Sequence, residues 1–347
     1  MKLRVIKILI FLLLLIFCTT IGCFIYLTQK KEDRSLLCSS NINYSNKSSD
    51  KSSEEEHFNY KEVKGITNIL LCGADFRYWD KSNGRTDSIM ILTIDSNLKK
   101  VKITSIMRDT YIPIRNHGSQ KINSAFAYGG IGLLKDTIEK NLNLKIDYYA
   151  VINFQSFVDI VDYLQGVDVD VKKNEIKELN KYINDNAIER KNVKFVENPG
   201  VQLLNGTQAL SYVRIRYNVG GDYSRTERQR IVLNKLIEKM KGISVVKYPK
   251  IARELWDNID TDISFMKALN LAYTIYNMDN KNLDTLQIPI NSISKGQIYG
   301  KKGWVILTDL KQNGEALDSF IYKDKKYSDK DLDINRANRV LNEYFNK

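Results

Sequence analysis

Histidine is nearly absent from this chain: its 347 residues hold two, His57 and His117. A histidine-rich metal site or a Ser-His-Asp hydrolase therefore has almost nothing to work with. No GxxxxGKS/T and no GxSxG stretch occurs, so neither a nucleotide-binding phosphate loop nor a nucleophile elbow is encoded. The four cysteines are scattered. Cys18 and Cys23 lie in an apolar run near the N-terminus, Cys38 in a polar tract and Cys72 at the end of a strand-like run, which makes neither a disulfide framework nor a CxxC metal pattern. Cys72 reads as a small buried hydrophobe. Internal repeats and a helix-turn-helix signal are missing too, which removes solenoids and a common class of DNA readers.

What is present is a basic, globular composition. Hydrophobic residues make up 43% of the chain, enough for a sizeable core, and the formal net charge is +12. That charge favours polyanionic neighbours: nucleic acid, anionic lipid or phosphate-bearing glycans. Lys2, Arg4 and Lys7 precede an uncharged run, Ile8 to Leu27, of about twenty residues, long enough to cross a hydrocarbon core of about 30 Å. The length points to an uncleaved anchor rather than a cleaved export signal. Glu32 to Tyr60, including SNKSSDKSSEEE, lacks any apolar period and cannot offset its ordering entropy, so it reads as a flexible tether with His57 exposed.

Three short β-branched runs follow, Ile69 to Cys72, Ser88 to Ile94 and Val101 to Ile106, each bounded by polar clusters as strands are. Their charges fall at the ends. Asp75 follows the first, Arg85 and Asp87 lead into the second, and Arg108 with Asp109 leaves the third. Open α/β sheets place ligands outside strand ends. Carboxylates can hold a hard divalent cation there, and guanidiniums present planar forks to phosphate oxygens, so the cluster is a candidate anion site.

Further on, Leu133, Leu134, Ile138 and Leu142 recur at helical spacing, Tyr148 to Phe154 reads as a strand, and Phe157, Ile160, Val161 and Leu164 form a helix face. Val167 to Val171 alternates, which puts Asp168 and Asp170 on a solvated strand face. Asn174 to Asn198 is a polar surface excursion with Tyr182, Ile183 and Ile188 as anchors. Val213-Arg214-Ile215-Arg216-Tyr217 alternates as well, so an extended segment would present both arginines on one face. Gly220-Gly221-Asp222 reads as a flexible turn. Arg225, Arg228 and Gln229 then open a helix continued by Ile231, Leu233, Leu236, Ile237 and Met240, and donors near a helix start suit an anion. Phe265 to Tyr276 and Ile334 to Phe345 read as helices, Leu286 to Ile290 and Trp304 to Thr308 as strands, with no linker after Lys61.

The blocks NILLCGADFR, GRTDSIMILTID, SIMRDTYIPI, KINSAFAYGG, IDYYAVINFQSFVDIVDYLQGVDVDV and LLNGTQALSYVRIRYNVGGDYSRTERQR, in this order, resemble successive motifs of the LytR-CpsA-Psr family of cell-wall ligases. The resemblance implies a single extracellular α-β-α domain, with a central mixed sheet flanked by helices. It also implies a layout of a cytoplasmic N-terminus at 1–7, a transmembrane signal anchor at 8–27, a linker at 28–60 and a catalytic domain at 61–347. The activity implied is transfer of a glycopolymer phosphate from a polyisoprenyl pyrophosphate carrier to peptidoglycan at the bacterial cell membrane, with Mg2+ or Mn2+ and without nucleic acid. Motif by motif, Asp75 and Asp87 match the metal-binding carboxylates, and Arg85 and Arg108 the head-group arginines. Lys121 matches a basic residue near the pyrophosphate, Arg214 and Arg216 the RxR pair, and Arg225 and Gln229 the later Arg and Gln. Arg228 is a further contact, and Asp222 a candidate acid-base residue by its place in the Gly-rich turn. Met107 and Arg230 depart from the family pattern without removing a ligand. A membrane-anchored regulator, or a polyanion-binding module without catalysis, is the alternative.

Overall fold

The computed structural model describes residues 62–75, 84–186, 194–216, 221–278 and 283–345, with the side chains of 75, 221–223 and 345 left outside that description. All of these residues belong to one compact unit, Phe58–Lys347. The expected anchor at 8–27, the tether at 28–60 and His57 lie outside the described residues. Among the described residues, no helix is long and apolar enough to cross a membrane.

The apolar runs do become strands. β1 (Ile66–Asp75), β2 (Arg85–Asp95), β3 (Lys100–Ile106), β6 (Tyr148–Asn153), β9 (Asp260–Thr261) and β10 (Asp284–Ile288) form a six-stranded sheet in the order β10-β3-β2-β1-β6-β9. β2 runs antiparallel to both neighbours, whereas β1 with β6 and β3 with β10 are parallel, so the sheet is mixed. Three hairpins stand apart from it: β4 (Tyr111–Ile114) with β5 (Gly118–Lys121), β7 (Val167–Val171) with β8 (Gly200–Leu204), and β11 (Ser294–Ile298) with β12 (Trp304–Thr308).

Alternation along the strands sends side chains to two apolar layers. Leu70, Cys72, Ala74, Ile89 and Ile91 join a core with α1 (Asn123–Leu142) and α8 (Leu310–Tyr322). Burial of Cys72 raises its thiol pKa well above the ordinary range, as an inert hydrophobe should show. Ile69, Met90, Leu92 and Ile94 face the opposite way, toward α5 (Gly221–Lys241) and α7 (Phe265–Tyr276). Between them in sequence lie α2 (Phe154–Tyr163), α3 (Ile176–Asn186), α4 (Gly206–Arg214) and α6 (Tyr248–Leu255), and α9 (Ile334–Phe345) ends the described chain.

Several expectations change. The segment from Val213 is not extended as far as Arg214: α4 continues to that residue, because a capping box between Asn205 and Gln208 starts it and Ala209, Leu210, Tyr212 and Val213 are buried at helical spacing. Gly221 and Asp222 form no loop but the first turn of α5. On α5 the buried apolar side chain is Val232, beside buried Arg225, Thr226 and Arg228, whereas Ile231 is 37% exposed. Within the polar excursion α3 is amphipathic, held by Leu179 as well as Ile183, while Ile188 lies outside the described residues. Asp168 and Asp170 are exposed between buried Val167, Val169 and Val171, as a solvated strand face requires.

Lys102 is buried on β3, where its ammonium donates to the carbonyls of Phe320 (2.7 Å) and Ile321 (3.2 Å) at the end of α8 and pairs with Asp324 at 3.0 Å. Partial burial pushes the Asp324 carboxyl up, but hydrogen bonds from Lys100 and Lys102 outweigh it and hold the group below the ordinary carboxylate range. Its stabilising contribution is therefore complete above the unfolded pKa of about 4 and is lost as pH falls through the lower folded value. The stability difference between wild type and Asp324→Asn should be constant from neutral pH down to about pH 5 and should shrink below about pH 4. Thermal melts across that range measure it, and a gap that persists undiminished at the acid end would contradict the assignment.

Candidate active site

One end of the sheet collects the charges. β1 and β6 finish there, β3 leads out through Met107 to Arg108, and β2 enters from Arg85. Gly73 pairs with Ser88 but Ala74 with Thr86, so Asp87 is the extra residue of a β-bulge. Bulges re-aim side chains. Here Asp87 and its neighbour Ser88 both line one cavity. Asp75 closes β1 opposite Arg85, which is exposed.

The Asp87 carboxylate gathers two guanidiniums. Arg108 donates to Oδ1 through Nη1, and Arg216 approaches both oxygens at 3.3 Å through Nη2. Arg108 also reaches Asp109 Oδ2 at 3.3 Å, and Lys121, at the end of β5, pairs with Asp109 Oδ1 at 2.9 Å. Arg214 is positioned differently. Its guanidinium lies 4.3 Å from the centre of the Phe154 ring and donates to Asn186 Oδ1 at 2.5 Å. Arg214, Arg216, Arg225 and Gln229 all line the same cavity as Asp87.

That cavity, of about 530 Å³, continues inward from the charged end between β1, β2 and β6 on one side and α2, α5, α6 and α7 on the other, among side chains such as Leu71, Met90, Phe157, Leu236, Ile251 and Ile275. Arg225 and Gln229 share the inner side of α5 with Val232, Leu233, Leu236 and Met240, so a single helix carries both the polar end and the apolar wall.

Four of the expected contacts do not line the cavity: Arg85 is exposed, Arg108 is joined to it through Asp87, and Lys121 and Arg228 are placed elsewhere. Arg228 is buried beneath the site, where Nε pairs with Glu175 at 2.8 Å, Nη1 donates to the Ile215 carbonyl at 3.1 Å, and the guanidinium sits 5.8 Å from the Tyr212 ring centre. Burial, reinforced by Glu175, pushes the Tyr212 phenol up to about 12. Arg228 thus holds the backbone between Arg214 and Arg216 rather than facing the cavity. Lys121 is joined to the cluster through Asp109 and does not line the cavity. The side chain of Asp222 lies outside the described residues, though its place in the first turn of α5 is two residues past the undescribed stretch 217–220. Sequence reading gave no role to Phe154 or Asn186, and counted Asp109 among the charges of the candidate anion cluster, where it does bond Arg108 and Lys121. Asn186 offers no local signal, being brought to Arg214 across 28 residues by the packing of α3 on α4.

A sequence model of the LytR_cpsA_psr family matches residues 35–315. The chain belongs to the LytR-CpsA-Psr family. It is 33% identical over 263 residues to the regulatory protein MsrR of Staphylococcus aureus strain COL, covering 75% of this chain and 76% of that protein. It is 34% identical over 238 residues to the polyisoprenyl-teichoic acid–peptidoglycan teichoic acid transferase TagU of Enterococcus faecalis, covering 65% of this chain and 74% of that one. Among solved structures it is similar to Bacillus subtilis YwtF (TagT) with bound octaprenyl pyrophosphate lipid, with a TM-score of 0.57 and 26% identity over 75% of this chain and 93% of that one. The mixed sheet flanked by helices is thus the fold of this LytR-CpsA-Psr family.

Arg228 and Arg216 should separate in their effects. Removing one partner of a buried ion pair costs about 3–5 kcal/mol, whereas a solvent-accessible pair is worth at most about 1 kcal/mol. Arg216 is only half-buried, with Arg108 left to neutralise Asp87 when it is removed. Glu175→Ala and Arg228→Ala should each lower unfolding free energy in the first range, and Arg216→Ala should fall near the second, measured by chemical denaturation. An Arg228→Ala protein of unchanged stability would return that residue to the list of ligand contacts.

Proposed function

We propose that this protein is a membrane-anchored phosphotransferase that moves a cell-wall glycopolymer, of teichoic acid or capsule type, as its phosphate from a polyisoprenyl pyrophosphate carrier to a sugar hydroxyl of peptidoglycan. One observation carries the reading: an apolar cavity that ends in guanidiniums matches a ligand with a long hydrocarbon tail and a pyrophosphate head. The octaprenyl pyrophosphate bound to YwtF (TagT) and the transferase activity in the name of TagU support it.

Such a transfer needs positioning and charge neutralisation more than covalent help. The acceptor oxygen forms a bond to the phosphorus that carries the glycopolymer, the bond from that phosphorus to the bridging oxygen breaks, and polyisoprenyl phosphate leaves with the electron pair. Arg108, Arg214 and Arg216, with Arg85, Arg225, Gln229 and Lys121 around them, offset the charge that grows on the leaving phosphate. Asp222 is the candidate to take the hydroxyl proton, on its place alone. Mg2+ commonly takes one or two carboxylates with substrate phosphates. The arginines make three hydrogen bonds to Asp87, leaving about one of its roughly four lone-pair directions for Mg2+ or Mn2+, while the side chain of Asp75 lies outside the described residues. Asp75 and Asp87 would hold the ion, which supplies further neutralisation of the pyrophosphate when bound. The run Ile8 to Leu27 would anchor the domain on the outer side of the bacterial membrane, with no nucleic acid as partner.

The test is release of polyisoprenyl phosphate by the full chain, with Mg2+ and a glycan acceptor. Wild type should turn over, chelation should slow it, and Arg108→Ala or the double change Arg214→Ala, Arg216→Ala should each lower the rate by about 100-fold or more. Equal release without acceptor would make the protein a hydrolase. Neither binding nor release would favour the non-catalytic alternative, in keeping with the regulatory name of MsrR.

A further inference from the structure

The cavity wall formed by α5 runs from Arg225 to Met240, a span of about 22 Å at 1.5 Å per residue. At the end away from the arginines the lining passes to Met240, Lys241, Tyr248, Ile251, Leu255 and Ala272, where the Lys241 ammonium donates to the Met278 carbonyl. The chain just outside this end has an unusual surface. Val246 is 82% exposed, more than any other large apolar side chain among the described residues, and half-buried Ile243 and Val245 lie next to it in sequence. Tyr248 and Ile251 of α6 turn inward to the cavity, so Lys250 and Arg253 fall on the opposite face of the helix, with exposed Lys247 just before it. Glu254 is the one acidic residue of Gly242 to Trp256, which leaves that tract net basic. Tyr273 and Tyr276 of α7 pack on Tyr248, each with ring centres 6.1 Å away, and each stays 38% exposed, with Met266 of the same helix 47% exposed.

An exposed apolar knuckle, lysines and arginine on the outer helix face, and tyrosines with an apolar body and a polar tip are the ingredients of an interfacial membrane contact. The same two helices, α6 and α7, present this surface outward and line the apolar cavity inward, a placement that serves a lipid source and that a protein partner would not need.

We propose that this end of the domain, made of Val246, the outer face of α6 and the tyrosines of α7, rests on an anionic bilayer, and that a carrier's hydrocarbon tail passes between bilayer and cavity there. The passage of the tail rests on the function proposed above; the bilayer contact is tested apart from it. Anionic headgroups pair with Lys247, Lys250 and Arg253 while Val246 enters the acyl boundary, which sets the charged end of the cavity away from the membrane, toward a wall-side acceptor.

The full chain is inserted in phosphatidylglycerol-containing vesicles, so the readout is immersion of one position and not binding. Val246→Trp should add tryptophan emission that is quenched by lipids brominated on their acyl chains, above the background of Trp79, Trp256 and Trp304, and Ile298→Trp, an exposed site on β11, should not. The double change Lys247→Glu, Lys250→Glu should reduce that quenching and slow turnover of a long-chain carrier in vesicles by on the order of tenfold, yet leave turnover of a short-chain, water-soluble prenyl pyrophosphate unchanged. No added quenching at position 246, in a protein that turns over the soluble substrate, overturns the bilayer contact and leaves the proposed function standing. Quenching at 246 in a protein that turns over neither substrate upholds the contact and overturns that function.

Discussion

Asp87 holds two guanidiniums at one end of the sheet, from Arg108 just past β3 and from Arg216, 129 residues further along the chain than Asp87. Without that carboxylate, Arg108, Arg214, Arg216 and Arg225 would be like charges crowded at a low-dielectric wall, each disfavouring the others. The bulge between Gly73 and Ala74 is what turns Asp87 toward them, and a side chain on Gly73 would come within 3.2 Å of Ser88 Cβ on the facing strand. Beneath the arginines, the Glu175 and Arg228 pair ties the turn before α3 and the helix α5 to the Ile215 carbonyl, and Phe154 with Asn186 fixes Arg214. The cationic groups are thereby fixed in place in the unliganded protein, so the phosphate proposed as their ligand would meet them without reorganisation.

The two faces of the sheet are used differently. Toward α1 and α8 the layer is solid, with Leu70, Ile91, Leu134, Ile138 and Leu317 fully buried. Toward α5, α6 and α7 the helices stand off and an apolar space remains, continuous with the arginine end. Apolar space left open costs stability, and natural cores leave little of it. Such a space runs along sixteen residues of one helix, Arg225 to Met240, with the arginines gathered at one end and only Lys241 and the Tyr248 hydroxyl among the apolar groups at the other, an asymmetry that suits the ligand proposed above.

Much of this was readable in the sequence, for reasons that the failures make clear. The strands around Asp87 were visible because β-branched runs bounded by polar clusters announce buried strands, and Ile334–Phe345 and Trp304–Thr308 were visible in their patterns as well. The RxR segment misled because Val-Arg-Ile-Arg-Tyr alternates like a strand; tertiary burial of Ala209, Leu210 and Val213 extends the helix to Arg214 instead. Arg228 and Arg225 looked alike in sequence. Only the fold, by bringing Glu175 within 2.8 Å across 53 residues, separates a structural arginine from one that lines the cavity. Phe154, Asn186 and the far wall of the cavity depend on such long-range placement, which no local pattern encodes.

The central claim is that the apolar cavity and the arginine cluster belong to one ligand. Native mass spectrometry of the full chain in mild detergent, offered octaprenyl pyrophosphate in competition with inorganic pyrophosphate, tests it most directly. A single lipid bound per chain, displaced only by a large excess of pyrophosphate and lost in the Arg214→Ala, Arg216→Ala protein, is the predicted result. Equal affinity for the lipid and for pyrophosphate alone, or lipid binding indifferent to those arginines, would contradict it.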